Sequence, residues 1–216
     1  MPTLHVVKNP NLITASVIGL AYEPTLDAPA GLTSEDGPDG SFLLHETGTA
    51  GGSAGVISGF DVLQWQLATS ATFALKSDAA ASAPPFGYGA WIGLFSQMPT
   101  TMADPVAALE YAAFRIDDTT GTVQTVTSRA GASPGVTVQG NAPLVPGRLD
   151  SFRIEFDLAT GELRFFWPQE ATLYQTHGAR SFLPDPATSL GYGVRIVATS
   201  NVNRGIRWKS IAIDLK

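Results

Sequence analysis

From Phe60 onward, hydrophobic and polar positions alternate with a period of two. Leu63, Trp65, Leu67, Thr69, Ala71, Phe73 and Leu75 share one side; Gln64, Gln66, Ala68, Ser70, Thr72 and Lys76 share the other. That is the signature of extended chain with one dry and one wet face. It predicts one long strand, or two in the same phase, between Leu63 and Leu75. The same reading predicts strands at Tyr88–Ser96, Glu110–Asp117, Thr122–Ser128, Gly135–Gln139, Phe152–Asp157, Glu162–Trp167, Tyr192–Thr199 and Ile206–Leu215. Turn chemistry separates them, as in Asp117-Asp118-Thr119-Thr120-Gly121, Ala159-Thr160-Gly161 and the stretch from Pro143 to Gly147. Only Asp104-Pro105-Val106-Ala107-Ala108-Leu109 has the cap and first-turn proline of a short helix.

Eight or more antiparallel strands, each with a dry face, need two sheets stacked about 10 Å apart. The expected class is therefore all-β, an antiparallel two-sheet β-sandwich of the jelly-roll kind. A closed barrel is the alternative that strand number leaves open. In the hairpin from Phe152 to Trp167, Phe152, Ile154, Phe156, Leu158, Leu163, Phe165 and Trp167 fall inside. Arg153, Glu155, Asp157 and Arg164 fall outside. Burying each large apolar side chain is worth about 1.5–3 kcal/mol, far above a surface ion pair, so core packing decides the fold.

The first 59 residues lack this pattern. Pro10, Pro24, Pro29 and Pro38 punctuate them, and Gly48-Thr49-Ala50-Gly51-Gly52-Ser53-Ala54-Gly55 reads as flexible. Short strands are expected at Leu12–Tyr22 and Ser41–His45. The division that follows is an N-terminal arm over 1–59, making assembly contacts, and a jelly-roll domain over 60–216.

A chain of 216 residues suits one large domain or a domain with an appendage. Thirteen Lys and Arg against nineteen Asp and Glu leave a net charge of −6, which argues against nucleic acid or an anionic membrane as partner. The charge is uneven. Residues 1–114 hold two cations against ten acids, and residues 115–216 hold eleven against nine. Identical copies could orient head to tail on that asymmetry. Cysteine is absent, which excludes disulfides, thiolate metal sites and cysteine nucleophiles. The N-terminus has no basic stretch followed by an apolar one, and the run from Ile13 to Tyr22 is too short to span a bilayer. Synthesis in a cytosol without membrane insertion is expected.

Several segments, taken in order, resemble a known family. They are Gly93-Leu94-Phe95, Tyr111-Ala112-Ala113-Phe114-Arg115-Ile116-Asp117, Arg148-Leu149-Asp150-Ser151-Phe152-Arg153-Ile154-Glu155-Phe156-Asp157, Gly161-Glu162-Leu163-Arg164-Phe165-Phe166-Trp167 and Val194-Arg195-Ile196. This series resembles the concanavalin A-like (lectin/glucanase, laminin G-like) jelly roll, more narrowly the versions in bacteriophage tail and virion structural proteins. The resemblance covers roughly Phe60 to Lys216. It implies a structural component of a phage or phage-like virion, assembled in the host cytoplasm, whose partners are copies of itself and other virion proteins. A carbohydrate-binding adhesin module that recognises host surface polysaccharide is the alternative.

Glucanase members of the family carry Glu-x-Asp-x-x-Glu on one strand. Here Glu155 and Asp157 supply the first two acids, but Thr160 stands in the third place. Glycoside hydrolysis needs two flanking carboxylates, so the chain is expected to be no enzyme. For glycan binding the candidates are Tyr88, Trp91, Tyr192 and Arg195. Trp91 lies between Gly89 and Gly93, where an exposed indole would be a flat platform for a sugar ring. The segment Phe86–Ser96 also echoes Leu190–Ser200, which places Tyr88 and Tyr192 at equivalent positions. Arg195, Arg204, Arg207 and Lys209 with Trp208 suggest a small basic patch. No cofactor is expected. His5, His45 and His177 lack ligand spacing, and Asp117-Asp118 and Asp36 with Asp39 read as turn and solvated loop residues, with oxygens for Ca²⁺ as the lesser alternative, so no metal is expected.

Overall fold

A computed structural model of the chain describes residues 25–27, 32–36, 42–46, 53–57, 68–77, 87–97, 99, 101–102, 109–130, 136–157, 159–178, 183–200 and 204–215. Four short strands come first: β1 (Thr25–Asp27), β2 (Leu32–Asp36), β3 (Phe42–Glu46) and β4 (Ser53–Ile57). A long β5 (Ala68–Ser77) precedes β6 (Tyr88–Phe95), β7 (Tyr111–Ile116), β8 (Thr122–Ser128) and β9 (Val136–Pro143). Then come β10 (Leu149–Asp157), β11 (Glu162–Phe166), β12 (Leu173–His177), β13 (Gly191–Ala198) and β14 (Arg204–Leu215). No helix occurs among the described residues; the one expected over Asp104–Leu109 lies, Leu109 apart, outside them.

The strands form two seven-stranded sheets, ordered β1-β4-β13-β6-β7-β8-β9 and β12-β11-β10-β5-β14-β3-β2. Neighbours run antiparallel. Each sheet keeps two edge strands, so the architecture is the sandwich and not the closed barrel. Phe114 of the first sheet meets Phe152 and Phe165 of the second edge-on, with ring centroids 5.2 Å apart in both pairs. Around them pack Ile92, Ile116, Val123, Val194 and Ile196 from one sheet, with Ile154 and Leu163 from the other. The expected inward set of the Phe152–Trp167 hairpin is therefore buried wherever it is described, with Phe156 partly so.

Strand β6 is buried on both faces. Tyr88, Ala90, Ile92 and Leu94 belong to the core between the sheets. Trp91 and Phe95 point the other way, into a smaller cluster with Tyr111, Ala113, Val126 and Val197, covered by Met102 and Leu109. Part of the segment between β6 and β7 thus forms a third layer over the first sheet.

Two expectations need correction. Residues 25–57 do not stand apart as an arm: β4 and β1 extend the first sheet beyond β13, and β3 and β2 extend the second beyond β14. Ser53–Gly55, read as flexible, lie in β4 opposite Arg195–Val197. The strand expected at Leu12–Tyr22 lies outside the described residues, as do residues 60–67 of the stretch ending in β5. Strand β12 was not expected, because Leu173-Tyr174-Gln175-Thr176-His177 does not alternate in hydrophobicity.

The two hairpin turns share one chemistry. The Oδ1 of Asp117 accepts from the backbone N–H groups of Thr119 and Thr120, and that of Asp157 accepts from Ala159 and Thr160. In each the fifth residue is a glycine in the left-handed region, Gly121 at φ 66° and Gly161 at φ 71°. An L-residue pays about 1–2 kcal/mol there. Replacing Gly161 with alanine is expected to lower stability by about that amount, and with asparagine by less, since asparagine tolerates this conformation. Urea unfolding of the two variants measures the difference.

Candidate functional site

The structure separates the four candidate binding residues. Tyr88 and Tyr192 face the core between the sheets, whereas Trp91 and Arg195 are on the opposite face of the first sheet. Exposure is 1% for Tyr88, 0% for Trp91, 4% for Tyr192 and 3% for Arg195, so none of them presents an open platform. The echoing segments are neighbours in one sheet, β6 and β13, with Gly93 paired to Gly193. The expected basic patch is divided, since Arg195 is on β13 of the first sheet while Arg204, Arg207 and Lys209 are on β14 of the second.

Register assembles a different group around Trp91. Arg195 of β13 is directly opposite Trp91 on one side, and Arg115 of β7 is opposite it on the other. Arg115 in turn pairs with Gln124 of β8. Directly opposed residues share a face, so Arg195, Trp91, Arg115 and Gln124 make one row across four strands. The Arg115 guanidinium is 5.8 Å from the indole centroid and donates through Nη1 to Oε1 of Gln124 at 3.3 Å. Tyr111 meets the indole edge-on at 5.6 Å. At the end of β7, Oδ2 of Asp117 is 3.9 Å from Arg115 Nη2.

The row is roofed. Trp91 Nε1 donates to the carbonyl of Thr101 and Arg115 Nη2 to the carbonyl of Met102, both at 2.9 Å. The Met102 side chain sits against the backbone of Gly89, where an added Cβ would lie 2.4 to 2.8 Å from its outer atoms. Gly89 therefore makes room for a methionine. Arg115, Gln124, Thr101 and Met102 were not singled out in the sequence; the one signal available was that Arg115 continues the phase of Tyr111 and Ala113.

Other polar groups are structural. His177 is buried between the sheets, with Nε2 2.7 Å from Thr125 Oγ1 and Nδ1 3.2 Å from Thr127 Oγ1. Its burial pushes the imidazole down to about 4. Asp150, also buried, accepts from Arg148 through both oxygens and from Trp167 Nε1 at 3.0 Å. No group of three His, Asp or Glu side chains fit for a metal occurs among the described residues. The Asp117 carboxylate is desolvated, yet hydrogen bonds from Thr120 and Thr119 with the charge of Arg115 outweigh this and lower its pKa, as a turn cap requires. The acids of the glucanase-like stretch are engaged as well. Glu155 pairs with Arg153 and Asp157 with Arg164, while Thr160 closes the turn and donates to Glu162.

No protein-family profile matches the sequence, and no curated protein matches it. Solved structures do. A protein of unknown function from Shewanella oneidensis MR-1 superposes with a TM-score of 0.63 at 11% identity, over 99% of this chain and 87% of that one. A prokaryotic β-1,3-1,4-glucanase (lichenase) derived from a mouse hindgut metagenome gives 0.56 at 12% identity, over 87% and 95%. A carbohydrate esterase from the Shiga toxin-encoding bacteriophage phi24B gives 0.52 at 13% identity, over 88% and 90%. The fold is the concanavalin A-like jelly roll.

That finding corrects the expectation that the chain is no enzyme. The lichenase and the esterase are enzymes built on this scaffold. A threonine at position 160 removes one arrangement of acids on one strand, not catalysis by the fold.

Proposed function

We propose that the chain is a component of a phage or phage-like virion and that its jelly roll engages surface polysaccharide. The observation that carries the glycan reading is the jelly roll shared with a lichenase and a phage carbohydrate esterase; within it the row of Arg195, Trp91, Arg115 and Gln124 sets an aromatic ring beside hydrogen-bond donors, buried beneath Thr101 and Met102. Sugar recognition uses these two elements, a ring for the apolar face of the pyranose and planar donors for its oxygens. The lichenase and the phage esterase, which handle carbohydrate on the same fold, support it.

The virion setting has separate support. The order of strand motifs from Gly93 to Ile196 resembles that of phage tail and virion jelly rolls, and one structural neighbour comes from a phage. Only 15% of residues are charged, against roughly 25% in an ordinary soluble domain, which suits a subunit that covers surface against other copies and other virion proteins.

Two measurements test the proposal. Purified protein is expected to be retained by at least one bacterial surface polysaccharide on a glycan array, and to elute as an oligomer in size exclusion with light scattering. Failure of retention across capsular and lipopolysaccharide glycans removes the glycan reading. A monomer at tens of micromolar removes assembly from copies of itself.

A further inference from the structure

We infer that Tyr174 is a bolt: its hydroxyl locks the end strands β9 and β12, one from each sheet, into a single unit of local opening. The role is independent of glycan binding.

Strand β9 ends the first sheet and β12 the second. Each departs once from regular pairing. In β12, Leu173 pairs with Phe166 and Gln175 with Phe165, which leaves Tyr174 as an extra residue. In β9, Ala142 pairs with Val123 and Gln139 with Thr125, so Gly140 and Asn141 together oppose Gln124. An extra residue in a strand re-aims its side chain out of the regular pleat. That of Tyr174 crosses to the first sheet. Its hydroxyl donates to the carbonyl of Val123 at 2.7 Å and accepts from the N–H of Ala142 at 3.0 Å. Val123 and Ala142 are directly opposed, so one hydroxyl from the second sheet is bonded to both strands of a rung in the first.

The receiving side is shaped for the ring. Gly140 has φ 84°, the left-handed conformation that glycine takes at such bulges. A Cβ there would lie 2.6 Å from Tyr174 Oη and 2.7 Å from two ring carbons. Trp167 meets the tyrosine ring edge-on, with centroids 5.2 Å apart, and supports it from the second sheet. His177 makes a further tie from β12, to Thr125 and Thr127 of β8. An end strand ordinarily frays by itself and offers its backbone groups to other chains. On this side of the sandwich, β12 cannot peel from β11, nor the end of β9 from β8, without breaking a bond to the opposite sheet.

Amide hydrogen exchange, followed residue by residue by NMR in the natural protein and in Tyr174→Phe, tests the bolt. The substitution keeps the ring and removes only the oxygen. It is expected to speed exchange about 10-fold at Ala142 and, by the same factor, at the β12 amides bonded to β11. The pair β1–β4, at the far end of the first sheet, is expected to keep its natural rates. Gly140→Ala, which displaces the hydroxyl from the receiving side, is expected to give the same pattern. In the double variant, Ala142 is expected to exchange no faster than in Gly140→Ala alone. Acceleration at Ala142 with β12 unchanged means that the two strands open separately, and it overturns the bolt. Equal acceleration at β1–β4 means that the hydroxyl only adds to overall stability, which overturns it too. Unchanged rates throughout show that water serves Val123 and Ala142 as well as the tyrosine does, with the same consequence. Effects that multiply in the double variant overturn the matching of the two bulges.

Discussion

Arg148→Met is expected to destabilise the protein by about 3–5 kcal/mol at neutral pH. The reason is an asymmetry in burial. Asp150 is 1% exposed, whereas Arg148 is 39% exposed and reaches solvent. Arg148 contacts both carboxylate oxygens and lies 5.5 Å from the Trp167 ring centroid, so it screens the acid from water while neutralising it. Remove the arginine, and a buried carboxylate keeps only the Trp167 indole N–H among these donors. Remove the charge on the other side, by Asp150→Asn, and the guanidinium can turn to water while the amide oxygen still serves Trp167. That variant is expected to cost about 1–3 kcal/mol. Urea titrations of the two variants and of Arg148→Met with Asp150→Leu measure the order. The double variant is expected to recover part of the loss, because a buried pair replaced by apolar residues leaves no orphan charge. A cost below about 1 kcal/mol for Arg148→Met would show that the pair behaves as a surface ion pair and that Asp150 finds its solvation elsewhere.

The fold was legible where alternation reports the pleat. Phe152 and Ile154 of β10, and Leu163 and Phe165 of β11, are buried as their phase requires, and β8 has the bounds its pattern predicts. Legibility fails at the edges. In β4 the small residues Ser53, Ala54 and Gly55 carry no phase, yet they are held in place by backbone hydrogen bonding to β13, which local sequence does not report. Strand β12 hides for another reason: its innermost described side chain is a histidine, buried because two threonines of the opposite sheet satisfy it.

The row around Trp91 was half legible. Trp91 and Arg195 were identified, and they are direct neighbours. Tyr88 and Tyr192 were grouped with them, although each is an odd number of residues from its strand-mate and so must face the other way. Arg115 and Gln124 were out of reach, because their place beside Trp91 depends on which strands pair and in what register. Periodicity gives the face of a residue, and only the pairing gives its neighbours.

The same histidine predicts how the fold answers acid. His177 is neutral between Thr125 and Thr127, with the Phe165 ring centroid 4.9 Å away, and desolvation lowers its pKa from 6.5 to about 4. Above pH 6.5 neither the folded nor the unfolded chain protonates this ring, and its full contribution to stability is present. Between 6.5 and 4 the unfolded chain takes up a proton that the folded chain refuses, so stability falls as the pH drops. By pH 4 the loss from this one group is roughly 3 kcal/mol, and it levels off about one pH unit below that. The carboxylates whose pKa values are lowered, Asp117, Asp157 and Asp185, act in a different window. Their contribution is present above the ordinary value of 3.8 and is lost only as the pH falls past it. The two windows let His177 be read alone. Chemical denaturation of the natural protein at intervals from pH 7.5 to 4.5 is expected to show a steady loss. In His177→Gln, stability at pH 7.5 is lower because the contacts to the two threonines are impaired, but the slope between 6.5 and 4.5 is expected to flatten. If both proteins lose stability in parallel over that interval, the acid response arises elsewhere and the imidazole between the sheets is solvated well enough to charge in place.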